Sequence, residues 1–175
     1  ADTPGGMAKI LVVDDQRNMR TTLAMLLRGA EHHVDEAENG DVACERVAEE
    51  AYDLVLTDLK MGATDGIAVL RRTREVSPLT EVIVMTAHGT IESAVEAMRL
   101  GARDFIEKPW DNTRLLTTLR TQVDLSRALR AGQRLAQETQ LARRSRLPDL
   151  IAESAAMAPV RELMERVAPS DANVL

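Results

Sequence analysis

The sequence of 175 residues lacks the features that mark several common classes of protein. Its single cysteine, Cys44, excludes an intrachain disulfide and leaves a zinc site without the ligands it needs, so we interpret it as a small core residue on a helix. No apolar run approaches the roughly 18 residues of a membrane span, and no apolar leader resembles a signal peptide. We therefore expect a cytoplasmic protein that has no membrane partner.

Aromatic residues are scarce as well. Tyr52, Phe105 and Trp110 are the only three, although 45% of the residues are apolar. Ala, Leu, Val and Met must therefore fill the core. Trp110 follows a proline, and we interpret it as a packing anchor for the next helix rather than as part of a partner surface.

Charge is spread unevenly along a chain whose net charge is -6. Met7–Asp124 holds 14 Lys and Arg against 21 Asp and Glu, so this portion should repel nucleic acid. Leu125–Leu147 holds six Arg against a single acidic residue, but no aromatic residues lie between them, which indicates a solvated helical face. We expect no part of this chain to bind nucleic acid.

Short apolar runs alternate with amphipathic helical patterns five times. The runs are Lys9–Val13, His33–Ala37, Asp53–Asp58, Glu81–Met85 and Asp104–Ile106. No hairpin turn separates them, and strict alternation favours a parallel sheet with helices on both faces. We predict a flavodoxin-like, doubly wound α/β domain of five parallel strands, (βα)5, over residues 7–124, with the second run as an edge strand. Residues 1–6, ahead of Met7, are interpreted as sequence left by cloning.

Two helical patterns carry further predictions. The fourth is marked by Ile91, Ala94, Val95 and Met98, which recur at helical spacing, and is closed by Gly101. The fifth begins near Asp111 and continues as a linker helix over residues 125–147, until Leu147 and Pro148 end it. Its weak heptad seam consists of Gln122, Leu125, Leu129, Gly132, Ala136 and Thr139. The linker either pairs with a second chain or is a solvated single helix; we favour a homodimer because a long isolated polar helix needs support.

Polar residues stand where four of the predicted strands end. They are Asp14 and Asp15 after the first, Asp58 at the end of the third, Thr86 after the fourth and Lys108 after the fifth. Ligands of open α/β sheets collect at this edge, so these side chains should converge on one pocket. Three neighbouring carboxylates need a cation, and hard oxygen ligands favour Mg²⁺, with Mn²⁺ as a substitute.

A metal, a carboxylate, a lysine and a hydroxyl indicate phosphoryl transfer. Asp58 would attack phosphorus and form an aspartyl phosphate. Lys108 would pair with one phosphoryl oxygen, the magnesium ion with another, and Thr86 with the third.

These residues resemble the receiver domain of bacterial two-component response regulators. The resemblance runs from Lys9 to about Val123 and rests on five motifs that occur in order. They are VDD at Val13–Asp15, TD at Thr57–Asp58, DG at Asp65–Gly66, TAHG at Thr86–Gly89 and FIEKP at Phe105–Pro109. Each motif is weak alone, but their order and spacing together are specific.

The resemblance implies a role for each site residue. Asp58 would accept phosphate from a sensor histidine kinase, with at most self-phosphotransfer and autodephosphorylation as chemistry of the chain's own. Asp15 and Asp58 would bind Mg²⁺ directly, Lys60 through its backbone carbonyl and Asp14 through water. The phosphorylation would be read out by the switch pair Thr86 and Phe105, on the face formed by the fourth helix, fifth strand and fifth helix.

The sequence departs from the family pattern after the phosphoacceptor. The family commonly has Met-Pro-Gly-Met before the Asp-Gly pair, whereas Met61–Thr64 contains no proline. We expect a looser loop there. Lys60 and His88 stand where the family varies its dephosphorylation rate, and we interpret His88 as a residue of the pocket rim rather than a metal ligand. His32 and His33 are expected in a solvated loop.

Residues 148–175 resemble the opening of the central AAA+ ATPase domain of sigma-54-dependent, nitrogen-regulatory-type activators. We expect an extended segment at Leu150 and Ile151, followed by a helix over Ala155–Val167. The resemblance implies that the phosphate-binding loop would come just beyond Leu175, so the chain is not expected to hydrolyse ATP.

Two other functions remain alternatives to a phosphoacceptor. A receiver-like interaction module that works without phosphate would not need the full acidic set with Thr86 and Lys108. An aspartyl phosphatase would need a second carboxylate two residues after the nucleophile, where this chain has Lys60.

Overall fold

A computed structural model describes the backbone of residues 6–153 and the side chains of residues 6–143. The elements are β1 Lys9–Val13, α1 Arg17–Gly29, β2 His33–Ala37, α2 Gly40–Glu49, β3 Leu54–Asp58, α3 Gly66–Val76, β4 Glu81–Thr86, α4 Ile91–Arg99, β5 Asp104–Glu107 and α5 Asn112–Glu153. Residues 1–5 of the predicted cloning remnant and the helix predicted over Ala155–Val167 lie outside the described residues.

The five strands form one parallel sheet in the order β2-β1-β3-β4-β5. The central strands β3 and β4 are buried along their whole length, as expected for a parallel sheet that is covered on both faces. The doubly wound (βα)5 fold and the edge position of β2 are therefore confirmed.

Alternate side chains of the strands enter two apolar clusters, one on each face of the sheet. Leu11, Val55 and Val84 pack with side chains of α2, α3 and α4 on one face. Ile10, Leu54, Leu56, Ile83 and Met85 pack with α1 and α5 on the other. Trp110 packs against this second cluster, in agreement with its interpretation as a packing anchor. Because successive side chains of a strand point to opposite faces of the sheet, each of these strands packs against the helices on both faces.

The predicted fourth helix is present as α4, but most of the apolar residues that mark it do not face the core. Ile91, Val95 and Met98 are 80%, 43% and 48% exposed, and Ala97 is the only buried residue of this helix. The helix contacts β5, the edge strand, so it covers only the margin of the sheet and a small side chain is enough to make that contact. Hydrophobic periodicity cannot show which of two offset stripes faces the core.

Helix α5 is anchored to the sheet by apolar contacts and then by polar ones. Leu115, Leu119 and Val123 are buried. One turn later the hydroxyl of Ser126, which is fully buried, donates to the carbonyl of Leu79 at 2.8 Å. The anchored part therefore continues beyond residue 124, where the sequence placed the end of the domain.

A charged network completes this anchor at the amino-terminal edge of the sheet. Guanidinium nitrogens of Arg127 and Arg130 each lie 3.7 Å from the carboxylate of Asp53, directly before β3. Arg130 also donates to the carbonyl of Tyr52 and, at 3.1 Å, to the hydroxyl of Thr80. The chain divides into two units directly after Arg130, where this network ends.

Helix α5 continues through Leu147 and Pro148 to Glu153, so the predicted end at the proline and the extended segment at Leu150 and Ile151 are wrong. A proline removes one backbone donor, but the hydrogen bonds of neighbouring residues can carry a helix past it. Within the part of the chain that is described, no helix is both long enough and apolar enough to cross a bilayer.

Of the two histidines expected in a solvated loop, His32 lies in the loop before β2 and is partly buried, whereas His33 is exposed but belongs to the strand. His33 begins β2, and Nδ1 of His32 accepts a hydrogen bond from the backbone N–H of Ala8 at 3.3 Å. Partial burial and then the nearby charge of Arg127 lower the pKa of His32. The ring is therefore part of the contact between the start of β2 and the residue before β1.

Tyr52 gives a pH prediction for the fold. It is the only tyrosine, is buried, and donates through its hydroxyl to Asp35 at 3.0 Å; burial and then this bond raise the pKa of Tyr52 from 10.0 to about 12. Because the raised pKa favours the neutral phenol in the folded state, its contribution to stability is present below pH 10.0 and is lost as the pH approaches about 12.

Ultraviolet titration of tyrosinate should therefore give a midpoint near pH 12 in the native protein and near 10 in urea. Tyr52→Phe should abolish the signal and serves as the blank. A native midpoint at the urea value would contradict the buried hydrogen bond.

Candidate functional site

The carboxyl ends of four strands bring the predicted site residues together. Asp14 directly follows β1, Asp58 and Thr86 are the last residues of β3 and β4, and Lys108 directly follows β5. Carboxylate oxygens of Asp14, Asp15 and Asp58 all lie within 4.8 Å of one another. The three acids that the sequence predicts to converge therefore do lie together in the structure.

Lys108 neutralises part of this acidic cluster. Its Nζ lies 2.6 Å from Oδ2 of Asp14 and 3.4 Å from Oδ1 of Asp58, and its side chain is only 5% exposed. The backbone N–H of Lys108 donates to the carbonyl of Thr86 at 2.8 Å, which extends the β4–β5 pairing by one residue. Sheet pairing thus fixes the point from which the lysine side chain reaches the two carboxylates.

Asp58 is buried at the centre of the site. Burial raises the pKa of its carboxyl, the positive charge of Lys108 opposes that effect, and the negative charge of Asp14 adds to it. The ionised form is held by Lys108 and by the backbone N–H of Leu59, which donates to Oδ1 of Asp58 at 2.9 Å. Asp58 is thus a carboxylate whose charge is costly to bury and only partly compensated.

The other two acids differ sharply in exposure. Asp14 is buried, and its Oδ1 accepts from the N–H of Gln16 at 2.8 Å. Asp15 is exposed. The cluster therefore has a closed side with Lys108 and an open side that leaves room for water. Such an arrangement of oxygen donors fits Mg²⁺, which keeps several waters when it binds protein carboxylates.

The loop after Asp58 approaches the end of β3 very closely. A Cβ on Gly66, the first residue of α3, would lie 2.2 Å from the carbonyl oxygen of Asp58, so only glycine fits there. Leu59 and Met61 are buried, and the hydroxyl of Thr64 donates to Asp41 on α2 at 2.5 Å. These contacts restrain the loop that lacks the family's proline.

The side chain of Lys60, in this same loop, is exposed. Only its backbone carbonyl was predicted to take part. His88 is also exposed and is not part of the acidic cluster found among the described residues. Its place at the pocket rim stays a prediction.

The two residues of the predicted switch pair meet at a glycine. Thr86 follows Met85, the register partner of Asp58, and its hydroxyl accepts from the N–H of His88 at 3.2 Å. A Cβ on Gly89 would lie 2.7 Å from Cε1 of Phe105 and 2.9 Å from Cγ2 of Thr86. The missing side chain of Gly89 therefore lets both residues approach the same backbone.

Sequence reasoning missed the groups that hold the site residues in place. Backbone donors of Gln16 and Leu59 bind carboxylate oxygens, and Arg20 on α1 contacts the carbonyl of Asp14. Backbone donors carry no residue-type signal. An arginine on an amphipathic helix looks like an ordinary solvated residue unless its partner on another element is known.

Comparison with known proteins agrees with this geometry. Residues 10–120 match the family described as the response regulator receiver domain. The transcriptional regulatory protein ZraR of Klebsiella oxytoca is 39% identical over 98% of this chain, and the chain spans 37% of ZraR.

Two solved structures extend the comparison. NtrX from Brucella abortus, solved in complex with ADP, has a TM-score of 0.68 at 34% identity over 94% of this chain and 35% of its own. The beryllofluoride-activated NtrC4 receiver domain dimer has a TM-score of 0.65 at 32% identity over 69% of this chain and 99% of its own. The resemblance drawn from the five motifs is therefore confirmed, and the chain belongs to the response regulator receiver domain family.

Proposed function

We propose that this chain is the phosphorylation-dependent receiver of a sigma-54-dependent transcriptional activator, and that Asp58 accepts phosphate from a sensor histidine kinase. The observation that carries this proposal is the buried Asp58 carboxylate, which lies beside the ammonium of Lys108 at 3.4 Å and within a cluster of two further acids. A purely structural ion pair would need neither the third carboxylate nor the open side at Asp15.

Each residue of the site has a different role in the phosphoryl transfer. An oxygen of Asp58 bonds to phosphorus while the bond from phosphorus to the kinase histidine breaks. Lys108 holds a phosphoryl oxygen from the closed side of the pocket. Asp15, Asp58 and the carbonyl of Lys60 would hold Mg²⁺, or Mn²⁺ in its place, with Asp14 acting through water. The bound cation would supply positive charge that offsets the charge of the transferred group.

The readout starts at Thr86. Its hydroxyl accepts a single long hydrogen bond from His88, so it can turn towards a phosphoryl oxygen at little cost. Phe105 contacts the same backbone at Gly89 and would turn inward behind it. The exposed apolar side chains of neighbouring α4 supply the surface on which this change is read.

Signalling output would pass through a homodimer. Leu129, Leu135 and Leu141 on α5 are 42%, 64% and 65% exposed, which leaves apolar area for a second chain. The similar NtrC4 structure is a receiver domain dimer. The α4–β5–α5 face is a second candidate interface. The linker over 125–147, the ATPase opening over 148–175 and a cytoplasmic location stay predictions.

Phosphorylation can be tested with a small phosphodonor. Acetyl phosphate and Mg²⁺ should add one phosphoryl group to the protein, with loss of acetate, and intact-mass spectrometry should detect it. Asp58→Asn should abolish the gain. The matched control Asp124→Asn, which changes an exposed acid on α5, should retain it. An unchanged wild-type mass would favour the phosphate-independent module, whereas continuous turnover of a phosphomonoester would favour a phosphatase.

The effect of the buried Asp58 carboxylate on the stability of the fold can be measured separately. Because the folded-state pKa of Asp58 is raised above its ordinary 3.8, ionisation at neutral pH opposes folding, and the neutral acid below 3.8 does not. Asp58→Asn should therefore increase the free energy of unfolding in urea at pH 7 without divalent cations. That gain should shrink as the pH falls towards 3.8. A loss of stability at pH 7 would contradict this assignment.

Dimerisation through the linker can be tested by sedimentation. The whole chain should be a dimer. A chain that ends at Arg130 should be a monomer, because it keeps the contacts of Ser126, Arg127 and Arg130 but loses the exposed side chains of Leu135 and Leu141. Leu135→Glu in the whole chain should weaken the dimer in the same direction. Equal monomeric masses would exclude the linker as an interface. Parallel runs with acetyl phosphate show whether phosphorylation makes or breaks the dimer.

A further inference from the structure

The peptide group between Asp14 and Asp15 has a side-chain partner from outside the acidic cluster. Nη1 of Arg20, on α1, donates to the carbonyl oxygen of Asp14 at 2.8 Å. Asp14 thereby has a partner for every polar group: its N–H donates to Ala37 at 3.2 Å, and its carboxylate oxygens bind the N–H of Gln16 and Nζ of Lys108. The Arg20 bond is the one that acts on the turn leading to Asp15.

Arg20 itself is held in place. Its side chain is 13% exposed, and its Nε lies 3.4 Å from Oε2 of Glu36. Glu36 stands on β2, in register with Val12 of β1. The guanidinium therefore spans from the second strand to the turn after the first, and the planar fork of arginine suits two acceptors at once.

This contact bears directly on the exposed acid. A peptide group is planar, so fixing the carbonyl of Asp14 also fixes the nitrogen of Asp15 and the direction in which its Cα leaves the turn. The carboxylate of Asp15 is exposed, yet it lies within 4.8 Å of the carboxylates of Asp14 and Asp58. Like charges at this separation repel, so the turn needs a restraint that keeps them together.

We propose that Arg20 is a positioning residue of the cation site, which holds the Asp14–Asp15 peptide so that the Asp15 carboxylate stays beside Asp58. The inference rests on the proposed function, in which these two acids bind Mg²⁺ directly. Arg20 donates to a backbone carbonyl and to Glu36, and it acts on the cation only through the geometry of the turn.

The direction in which Mg²⁺ affinity changes when Arg20 is replaced distinguishes a positioning role from a purely electrostatic one. Arg20 carries a positive charge close to a site for a cation, so its removal should tighten Mg²⁺ binding if charge alone mattered. Positioning predicts the opposite, because a loosened turn lets Asp15 move away from Asp58. Outer residues that orient metal ligands typically change metal affinity by about 10- to 100-fold when they are replaced.

Arg28 provides a matched control. It pairs with the same Glu36 at 3.1 Å and donates to the carbonyl of Val34 at 2.9 Å, but both of these contacts lie on β2 and neither is with Asp14. Arg28→Ala removes the same charge from the same ion-pair network. It should change the Mg²⁺ dissociation constant by less than about twofold, as expected for a half-exposed ion pair.

The experiment is calorimetric titration of the whole chain with Mg²⁺ alone. Arg20→Ala should raise the dissociation constant about tenfold over wild type. Arg20→Lys keeps the charge but loses the planar fork of the guanidinium, so its dissociation constant should lie between those of wild type and Arg20→Ala. If Arg20→Ala does not fold, as judged by circular dichroism, the lysine variant decides: an affinity equal to that of wild type overturns the proposal.

Phosphorylation by acetyl phosphate gives a second readout. The Mg²⁺ concentration for half-maximal rate should rise for Arg20→Ala while the rate at saturating Mg²⁺ returns to that of wild type, a pattern that a general loss of stability does not produce. Equal constants for Arg20→Ala and Arg28→Ala, or tighter binding by Arg20→Ala, would overturn the proposal. If wild type neither binds Mg²⁺ nor gains phosphate, the proposed function itself fails and this inference falls with it.

Discussion

The contact between Lys108 and the carboxylates of Asp14 and Asp58 is the interaction on which the rest of the site depends. A parallel sheet brings the carboxyl ends of its strands to one edge, so acids placed there are forced together. One buried ammonium offsets part of that repulsion, and the remaining negative charge faces the open side at Asp15. The site is thus neutral enough to fold and still acidic enough to bind a cation, a compromise between stability and chemistry that Asp58 shows most directly through its raised pKa.

The amino-terminal edge of the sheet, opposite the site, anchors the last helix. Asp53 and Asp58 stand at the two ends of the same buried run, and Asp53 receives the charges of Arg127 and Arg130 from α5. The same strand therefore carries the proposed phosphoacceptor at its carboxyl end, and the residue before it anchors the last helix at its amino end. Because β3 is buried along its length, a shift at one end is resisted by packing on both faces.

A third region of the domain consists of the contacts around Gly89 and the exposed side of α4. Thr86 and Phe105 share the space left by Gly89, and α4 is buried only through Ala97. A helix with a single buried residue contributes little apolar area to the core, so a shift of α4 would cost the cluster on its face of the sheet little more than the contacts of Ala97. The apolar residues of α4 that do not face the core are therefore available for a partner.

The sequence by itself determined the alternation of strands and helices, the parallel sheet and the set of acids, hydroxyl and lysine, because these follow from local periodicity and from the rule that parallel strands end at one edge. It did not determine which stripe of α4 faces the core, that α5 continues past Pro148, or that Arg20 reaches the Asp14 carbonyl. Those features depend on contacts between residues far apart in the chain, and on neighbours that offset a locally unfavourable residue. Periodicity within one segment carries no information about such partners, so only the tertiary structure decided them.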